Sequence, residues 1–407
     1  MHILFLTDNF PPEGNAPASR TYEHTREWVK RGHKVTILTC APNFPEGKLF
    51  RGYQNKWLFV EKIDGITVWR VKTFITANEG FLKRSLDYIS FMMSSFFFGL
   101  FIKNVDVVVG TSPQFFTVIS AWALGRLKSV PFVFELRDMW PSSITAVGVM
   151  KKNYVISLLE KLEMFLYQQA DHIITVTNSF KSELIDRGVA SKKIDVVLNG
   201  VDLSVYMPKN TKDLDFATMY GLEGKFVIGY IGTHGLAHAL EHVLEAAKLL
   251  KSNPDIVFLF AGGGAFKKKL EYLISEANLP NVVSIPRQSK DIMPRIWSVC
   301  DVSMISLNNS PLFKTVIPSK IFESMGMGLP MIISVPAGEA TDIIKTFACG
   351  IQVAPESPNE IACAVTKFYS NKKLTREYAN NSANAAYKFD RIKLAEKFIK
   401  ILKEKVV

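Results

Sequence analysis

The sequence predicts an α/β protein built from two Rossmann-like, doubly wound domains in tandem that face a cleft. Three observations carry that expectation. The chain has 407 residues, too many for one ordinary hydrophobic core and suited to two of roughly 200 each. Short apolar runs alternate with helical stretches, the βαβ pattern of a parallel sheet. The pattern also restarts at Phe226, after the Asn199-Gly200 turn.

The first domain opens with the apolar run His2 to Thr7 and a Pro- and Gly-bearing loop from Asp8 to Ala18. Pro17 then opens a helix ending near Gly32, and Lys34 to Thr39 is the next strand. The loop does not spell GxGxxG, so nothing in it argues for a dinucleotide. Further runs at Ile66 to Val71, Val105 to Gly110, Pro131 to Leu136 and Ile173 to Thr177 alternate with helical stretches near 81–103, 113–127, 151–169 and 179–187.

The second domain takes strand Phe226 to Ile231, the loop GTHG at Gly232 to Gly235 and a helix from about His238 to Lys251. Strand Ile256 to Ala261, the triple glycine from Gly262, a basic helix and strands Val282 to Ile285 and Val302 to Ile305 follow. The segments 1–198 and 199–385 are the expected domains, with a C-terminal helix in 386–407 packing back on the first.

The stretch Phe313 to Pro330, FKTVIPSKIFESMGMGLP, is the most distinctive in the chain. Pro318 disfavours helix at Ile317, Ser319 is placed to cap the next turn, and Lys320 to Met327 read as a short helix stopped by Gly328 and Pro330. Glu323 then sits in a first turn, where its carboxylate can accept hydrogen bonds from vicinal hydroxyls such as those of a ribose. An ordinary solvated glutamate is the competing reading.

Composition narrows the function classes. Hydrophobic content of 48% with 21% charge reads as globular. The four cysteines show no CxxC spacing and read as reduced thiols, with no metal site expected. Net charge is +11, and residues 48–103 hold nine basic against four acidic residues. Such a surface suits phosphate-bearing partners, yet no nucleic-acid motif is present, so nucleic acid is not an expected partner. No cleavable signal peptide is apparent. Leu86 to Ile102, LDYISFMMSSFFFGLFI, is short for a span of about 20 residues and is flanked by Lys83, Arg84 and Lys103. A helix in the membrane interface, using 83–103, a buried core helix and, last, a membrane span are the three readings it leaves.

Several constellations could carry chemistry. Gly232, Thr233 and Gly235 can present amides to a pyrophosphate, with His234 and His238 beside them. Glu135, Arg137, Asp138 and Trp140, in ELRDMWP, lie where a buried strand emerges, the place where open α/β sheets bind ligands. An internal salt bridge is the alternative there. Asn15 and Arg20 sit at the start of the first helix, and Lys314 and Lys320 flank the 315–319 turn.

In order and wording these pieces resemble the GT4 family of retaining glycosyltransferases, of the GT-B fold. The motifs are NFPPEGNAPASR, ELRDMWP, LNGVD, YIGTHGLAHALE, FAGGGAFKKKL and PSKIFESMGMGLPMI. The likeness extends to bacterial O-antigen and capsule transferases of N-acetylated deoxyhexoses such as N-acetyl-L-fucosamine. It implies a UDP-sugar donor as substrate with no cofactor, an undecaprenyl-diphosphate-linked saccharide as acceptor, and a location on the inner face of the cytoplasmic membrane.

By motif, the resemblance makes Glu323 the ribose ligand, the 232–235 loop the pyrophosphate loop and Arg287 a neighbour of the base. Lys314, Thr315, Val316 and Ile317 complete the donor site. Thr315 stands where family members commonly carry a second glutamate, and the family's frequent Arg and Lys in the 232 loop are absent. Asp138, Lys320 and His234 are the expected catalytic residues, and Asn15, Arg20, Glu135, Arg137 and Trp140 the expected acceptor residues. A nucleotide-sugar epimerase of the UDP-GlcNAc 2-epimerase type is the competing enzyme class, and a non-catalytic membrane-associated scaffold is the third reading.

Overall fold

A computed structural model describes every residue except 45, 77–80, 142–153, 210 and 407, together with the side chains of 81 and 82. The start of the expected 151–169 helix thus lies outside the described residues. Chain contacts divide the molecule into two compact units, Met1–Leu198 with Arg391–Val407, and Asn199–Asp390.

In the first unit, strands β1 (His2–Leu6), β2 (Lys34–Cys40), β3 (Leu58–Ile63), β4 (Ile66–Val71), β5 (Val107–Thr111), β6 (Phe132–Leu136), β7 (His172–Thr175) and β8 (Ile194–Val196) form one sheet. Their order is β3-β4-β2-β1-β5-β6-β7-β8. All pairings are parallel except β3 with β4, a hairpin in which Ile63 faces Ile66. The turn is Asp64-Gly65, both at positive φ, a two-residue hairpin signal that was legible in the sequence. β3 and the three-residue β8 are the strands the periodicity did not predict.

Both faces of this sheet are covered, which is why its central strands read as unbroken apolar runs. On one face lie α1 (Ala16–Lys30) and the C-terminal helix Arg391–Ile401. Trp28 packs on Phe398 with ring centroids 5.0 Å apart and donates its indole N–H to the Ala395 carbonyl at 2.9 Å. The return to the first unit begins at Arg391, later than expected. Residues 386–390 stay with the second unit because Phe389 is packed against Phe322 and Phe347 there.

On the other face, α2 (Phe81–Gly99) and α3 (Phe115–Lys128) bury Phe91, Phe115, Val118, Ala121 and Leu124 against the sheet. Only half of α2 is used in this way. Met93, Phe97 and Phe101 are 60%, 55% and 58% exposed, beside the exposed Leu86 and Ile89, while Lys83, Arg84 and Lys103 stand exposed at the two ends. The burial reading therefore describes one face of this segment and leaves the other apolar and open. Among the described residues no helix is long and apolar enough to cross a membrane.

In the second unit, β9 (Phe226–Ile231), β10 (Ile256–Ala261), β11 (Val282–Ile285), β12 (Val302–Ser306), β13 (Met331–Ser334) and β14 (Gly350–Val353) form an all-parallel sheet in the order β11-β10-β9-β12-β13-β14. β13 and β14 were not predicted: each is four residues long, too short for periodicity to declare.

Candidate active site

In an open parallel sheet, ligands bind beyond the carboxyl ends of the strands where the strand order reverses. In the second unit that point lies between β9 and β12, so it is formed by the loop after Ile231 and the segment after Ser306. The first loop is held tightly. Gly232 donates to the Ala261 carbonyl at 2.8 Å, His234 to that of Gly263 at 2.9 Å, and Phe266 donates back to the His234 carbonyl at 2.8 Å. The contact is close enough to require glycine twice. Gly262 and Gly264 have φ of +151° and +146°, and a Cβ at Gly262 would stand 1.8 Å from the Gly232 carbonyl oxygen.

This clamp buries His234 completely, at 0% exposure, and neither ring nitrogen has a hydrogen-bond partner. Burial, then the nearby charges of Lys267, Lys320 and His238, push its imidazole down to about 3. It is a neutral ring inside the loop. An expected direct catalytic contact through His234 does not fit that burial, and His238 is the histidine left half-buried at the same loop. His238 Nδ1 lies 3.3 Å from the Gly235 carbonyl, and burial, followed by Lys320, pushes its ring down to about 4.

Lys320 opens α4, the seven-residue helix Lys320–Gly326 that follows the 315–319 turn; α1, α2 and α3 are as given above. Its Nζ is buried without a hydrogen-bond partner and lies 3.6 Å from the centroid of the Tyr230 ring. A Cβ on Gly232 would be 3.5 Å from that nitrogen. Burial pushes the ammonium down to about 7, with the Glu323 carboxylate opposing. Tyr230 is fixed in turn by donating its hydroxyl to the Thr233 carbonyl at 2.7 Å. Lys320 and Glu323 from α4 thus come together with Tyr230, Gly232, His234 and His238 from the 230–238 stretch, two segments more than eighty residues apart in sequence.

The expected capping by Ser319 is absent. Its φ and ψ of −60° and −27° are helical and it makes no side-chain cap bond, because a residue already in the helical basin cannot bend its hydroxyl back to the first-turn amides. Glu323 is half-buried in the first turn. Among the described residues the Val316 and Ile317 amides donate to no backbone carbonyl. Thr315 donates its hydroxyl to the Leu312 carbonyl at 3.0 Å, so it is turned toward its own turn. Lys314 and Arg287 are exposed; the Arg287 Cβ lies against Gly263, which puts it beside the glycine triplet.

In the first unit the strand order reverses between β1 and β5. Here two expected acceptor residues prove structural. Arg20 and Glu135, each 1% exposed, form an ion pair at 2.9 Å, and Arg20 also donates to the carbonyls of Leu198 and Val197 at 2.8 and 2.9 Å. Burial alone would raise the Glu135 carboxyl, but Arg20 and Arg137 hold it below its ordinary value. Asn15 is the N-cap of α1, accepting from Ala18 N–H at 2.9 Å. Trp140 stacks on Phe115 with centroids 4.8 Å apart, as part of the core edge.

Arg137 and Asp138 remain at the switch point, half-buried, with both amides donating to the Ser112 hydroxyl at 2.7 and 3.2 Å. Burial pushes the Arg137 guanidinium down to about 10 despite Glu135. Asp8, two residues beyond the end of β1, joins them; burial raises its carboxyl, opposed in part by Arg137. The sequence reading missed Tyr230, Asp8 and Ser112. Asp8 and Ser112 each lie within two residues of a strand end, but which strand ends flank the reversal is set by strand order, which periodicity does not reveal.

Among the described residues no group of three or more His, Cys, Asp or Glu is placed to hold a metal ion.

Comparison with known proteins assigns both units. Residues 18–205 match the model of Glycosyltransferase Family 4 and residues 219–387 that of Glycosyl transferases group 1. With both domains present in that order, the chain belongs to the glycosyltransferases of the GT-B fold. It is 25% identical over 394 residues to WcaI of Escherichia coli K12, named for a glycosyl transferase role in colanic acid biosynthesis, covering 94% of this chain and 96% of WcaI. It is 24% identical over 261 residues, 63% of this chain and 67% of the relative, to a Campylobacter jejuni 4-alpha-N-acetylgalactosaminyltransferase whose named acceptor is N-acetylgalactosamine-N,N'-diacetylbacillosaminyl-diphospho-undecaprenol. Among solved structures, the fold is shared with sucrose-phosphate synthase from Thermosynechococcus elongatus (TM-score 0.78, 14% identity, 99% and 98% of the two chains). It is shared also with Anabaena HepE in complex with UDP-glucose (TM-score 0.75, 16% identity, 99% of each chain). The epimerase reading gains no support from these relatives.

Proposed function

We propose that this glycosyltransferase moves a sugar, with retention of anomeric configuration, from a UDP-sugar to an undecaprenyl-diphosphate-linked saccharide in the assembly of a surface polysaccharide. The observation that carries the donor half is the buried, unpartnered Lys320 ammonium beside Gly232, with Glu323 less than one turn further along α4. A buried amine without a hydrogen-bond partner at a strand-end glycine loop fits a diphosphate, and the adjacent carboxylate fits ribose hydroxyls. The UDP-glucose complex of HepE and the lipid-linked acceptor named for the Campylobacter relative support the same substrate classes.

In the reaction the bond from the anomeric carbon to the diphosphate oxygen breaks while the acceptor oxygen bonds to the same face. The leaving phosphate takes the acceptor's proton. Lys320 and the amides of Val316 and Ile317 stabilise the charge that grows on the diphosphate, and this requires no metal ion. The two-carboxylate arrangement of retaining glycosidases is not part of this route. Asp138, with Arg137, orients the acceptor; Arg287 borders the base; an N-acetylated deoxyhexose such as N-acetyl-L-fucosamine is the proposed donor sugar. The exposed face of α2, with its flanking cations, rests on the inner face of the cytoplasmic membrane.

The test is to incubate purified protein with a panel of UDP-sugars and undecaprenyl-diphospho-N-acetylglucosamine, with and without EDTA. A lipid-linked disaccharide is expected under both conditions. Isomerisation of a donor in the absence of acceptor, or failure of UDP to bind in calorimetry, would overturn the reading.

A further inference from the structure

Lys320 raises a problem of charge. Its Nζ is shut away from water, has no hydrogen-bond partner and rests on the face of the Tyr230 ring at 3.6 Å. The groups that face it are few. From β9 comes Tyr230, from the following loop His234 and His238, and from its own helix Glu323. The two histidine rings pack against the same tyrosine, with centroids 5.7 and 6.1 Å from it, and Lys267, further out beside His234, is tied to Ser284 and the Ile285 carbonyl at 2.6 and 3.0 Å. An aromatic face attracts a cation, but it supplies no hydrogen-bond acceptor to replace lost water. The pocket therefore suits either a neutral amine or an ammonium with an anion brought to it.

We propose that Lys320 is a proton-coupled anion ligand: it binds the diphosphate of the nucleotide as an ammonium and takes up a proton to do so. The inference rests on the nucleotide-sugar reading above and adds the protonation state of the residue that meets the phosphate. The depressed ammonium of the empty site, near neutrality, agrees with it. His234 and His238, both held neutral, add no competing positive charge. The arrangement has a use in transfer. Once the proton taken from the acceptor has been lost, the nucleoside diphosphate product carries one phosphate charge more than its sugar ester, and a lysine held as an ammonium favours that more anionic partner.

The sign of the pH dependence follows. Anion binding raises the ammonium above its value in the empty site, so affinity is highest where the empty site is already protonated and falls as pH rises above about 7. Calorimetry of UDP at about pH 8, where the second phosphate ionisation near 6 is complete, in two buffers of different ionisation enthalpy, reads the protons taken up. Wild type is expected to take up roughly half to one proton per UDP at that pH and to show no net uptake at about pH 6, where the ammonium is already formed and the half-protonated phosphate can only lose its proton. Lys320→Arg, charged at every pH used, is expected to bind UDP with no uptake at pH 8, whereas His238→Gln retains it.

UDP binding without proton uptake by wild type would overturn the proposal and leave the nucleotide reading standing. Uptake that persists in Lys320→Arg would overturn it too. If neither UDP nor inorganic pyrophosphate binds, both inferences fall. The wild-type measurement decides by itself should the arginine variant not fold.

Discussion

Single residues in this chain divide by whether their charges are proposed to meet a ligand or hold the fold together. Glu323 is half-buried in the first turn of α4, where the donor's ribose is proposed to bind. Glu323→Ala is expected to weaken UDP binding by about 1.5 to 3 kcal/mol, the worth of hydrogen bonds to a charged group. Its melting temperature should stay near wild type, and unchanged UDP affinity in calorimetry would refute the ribose role. Arg20 behaves in the opposite way. It is closed into an ion pair with Glu135 and into the Val197 and Leu198 carbonyls, so Arg20→Met leaves a buried carboxylate without its ion-pair partner. The expected loss is about 3 to 5 kcal/mol of stability in urea denaturation, with much of it recovered in the Arg20→Met/Glu135→Leu double variant. A double variant as unstable as the single one would show that the pair is not the reason Arg20 matters.

Elements place these residues. The 232–238 loop is shaped by the glycine triplet after β10, which brings the His234 carbonyl and amide under its neighbours and leaves His238 and Lys320 at the strand-end face. α2 shows how one helix serves two environments. Phe91 and Ser95 point inward, while Met93, Phe97 and Phe101 recur on the outer face at the four-residue helical spacing. Phe98 packs partly against the core, so a test of the outer face should spare it. Phe97→Glu/Phe101→Glu is expected to lower sedimentation with vesicles of anionic phospholipid severalfold without loss of folded protein. Wild-type sedimentation should itself fall as salt screens Lys83, Arg84 and Lys103. Equal sedimentation of the variant and wild type would remove the membrane role from this face.

At the scale of the whole molecule, the sequence by itself determined the fold class and much of the element order. Apolar runs of five to seven residues set between glycine loops and longer helical stretches can satisfy their backbone only as a buried parallel sheet, and period and punctuation are local properties. It also singled out the Phe313 to Pro330 stretch, because a proline-broken turn and a short helix are written in adjacent residues. Tertiary structure decided the rest. Strand order fixed which loops flank each reversal, and so brought Lys320 from a distant position to Tyr230 and His238 while admitting Asp8 and Ser112 beside Asp138. Burial decided whether a charge is structural or free to meet a ligand. Arg20, Glu135 and Lys320 look alike in sequence, but only packing shows that the first two neutralise each other and that the third has no hydrogen-bond partner. The reason is physical: propensity acts over a few residues, whereas desolvation and pairing depend on every atom that the fold brings within a few ångströms.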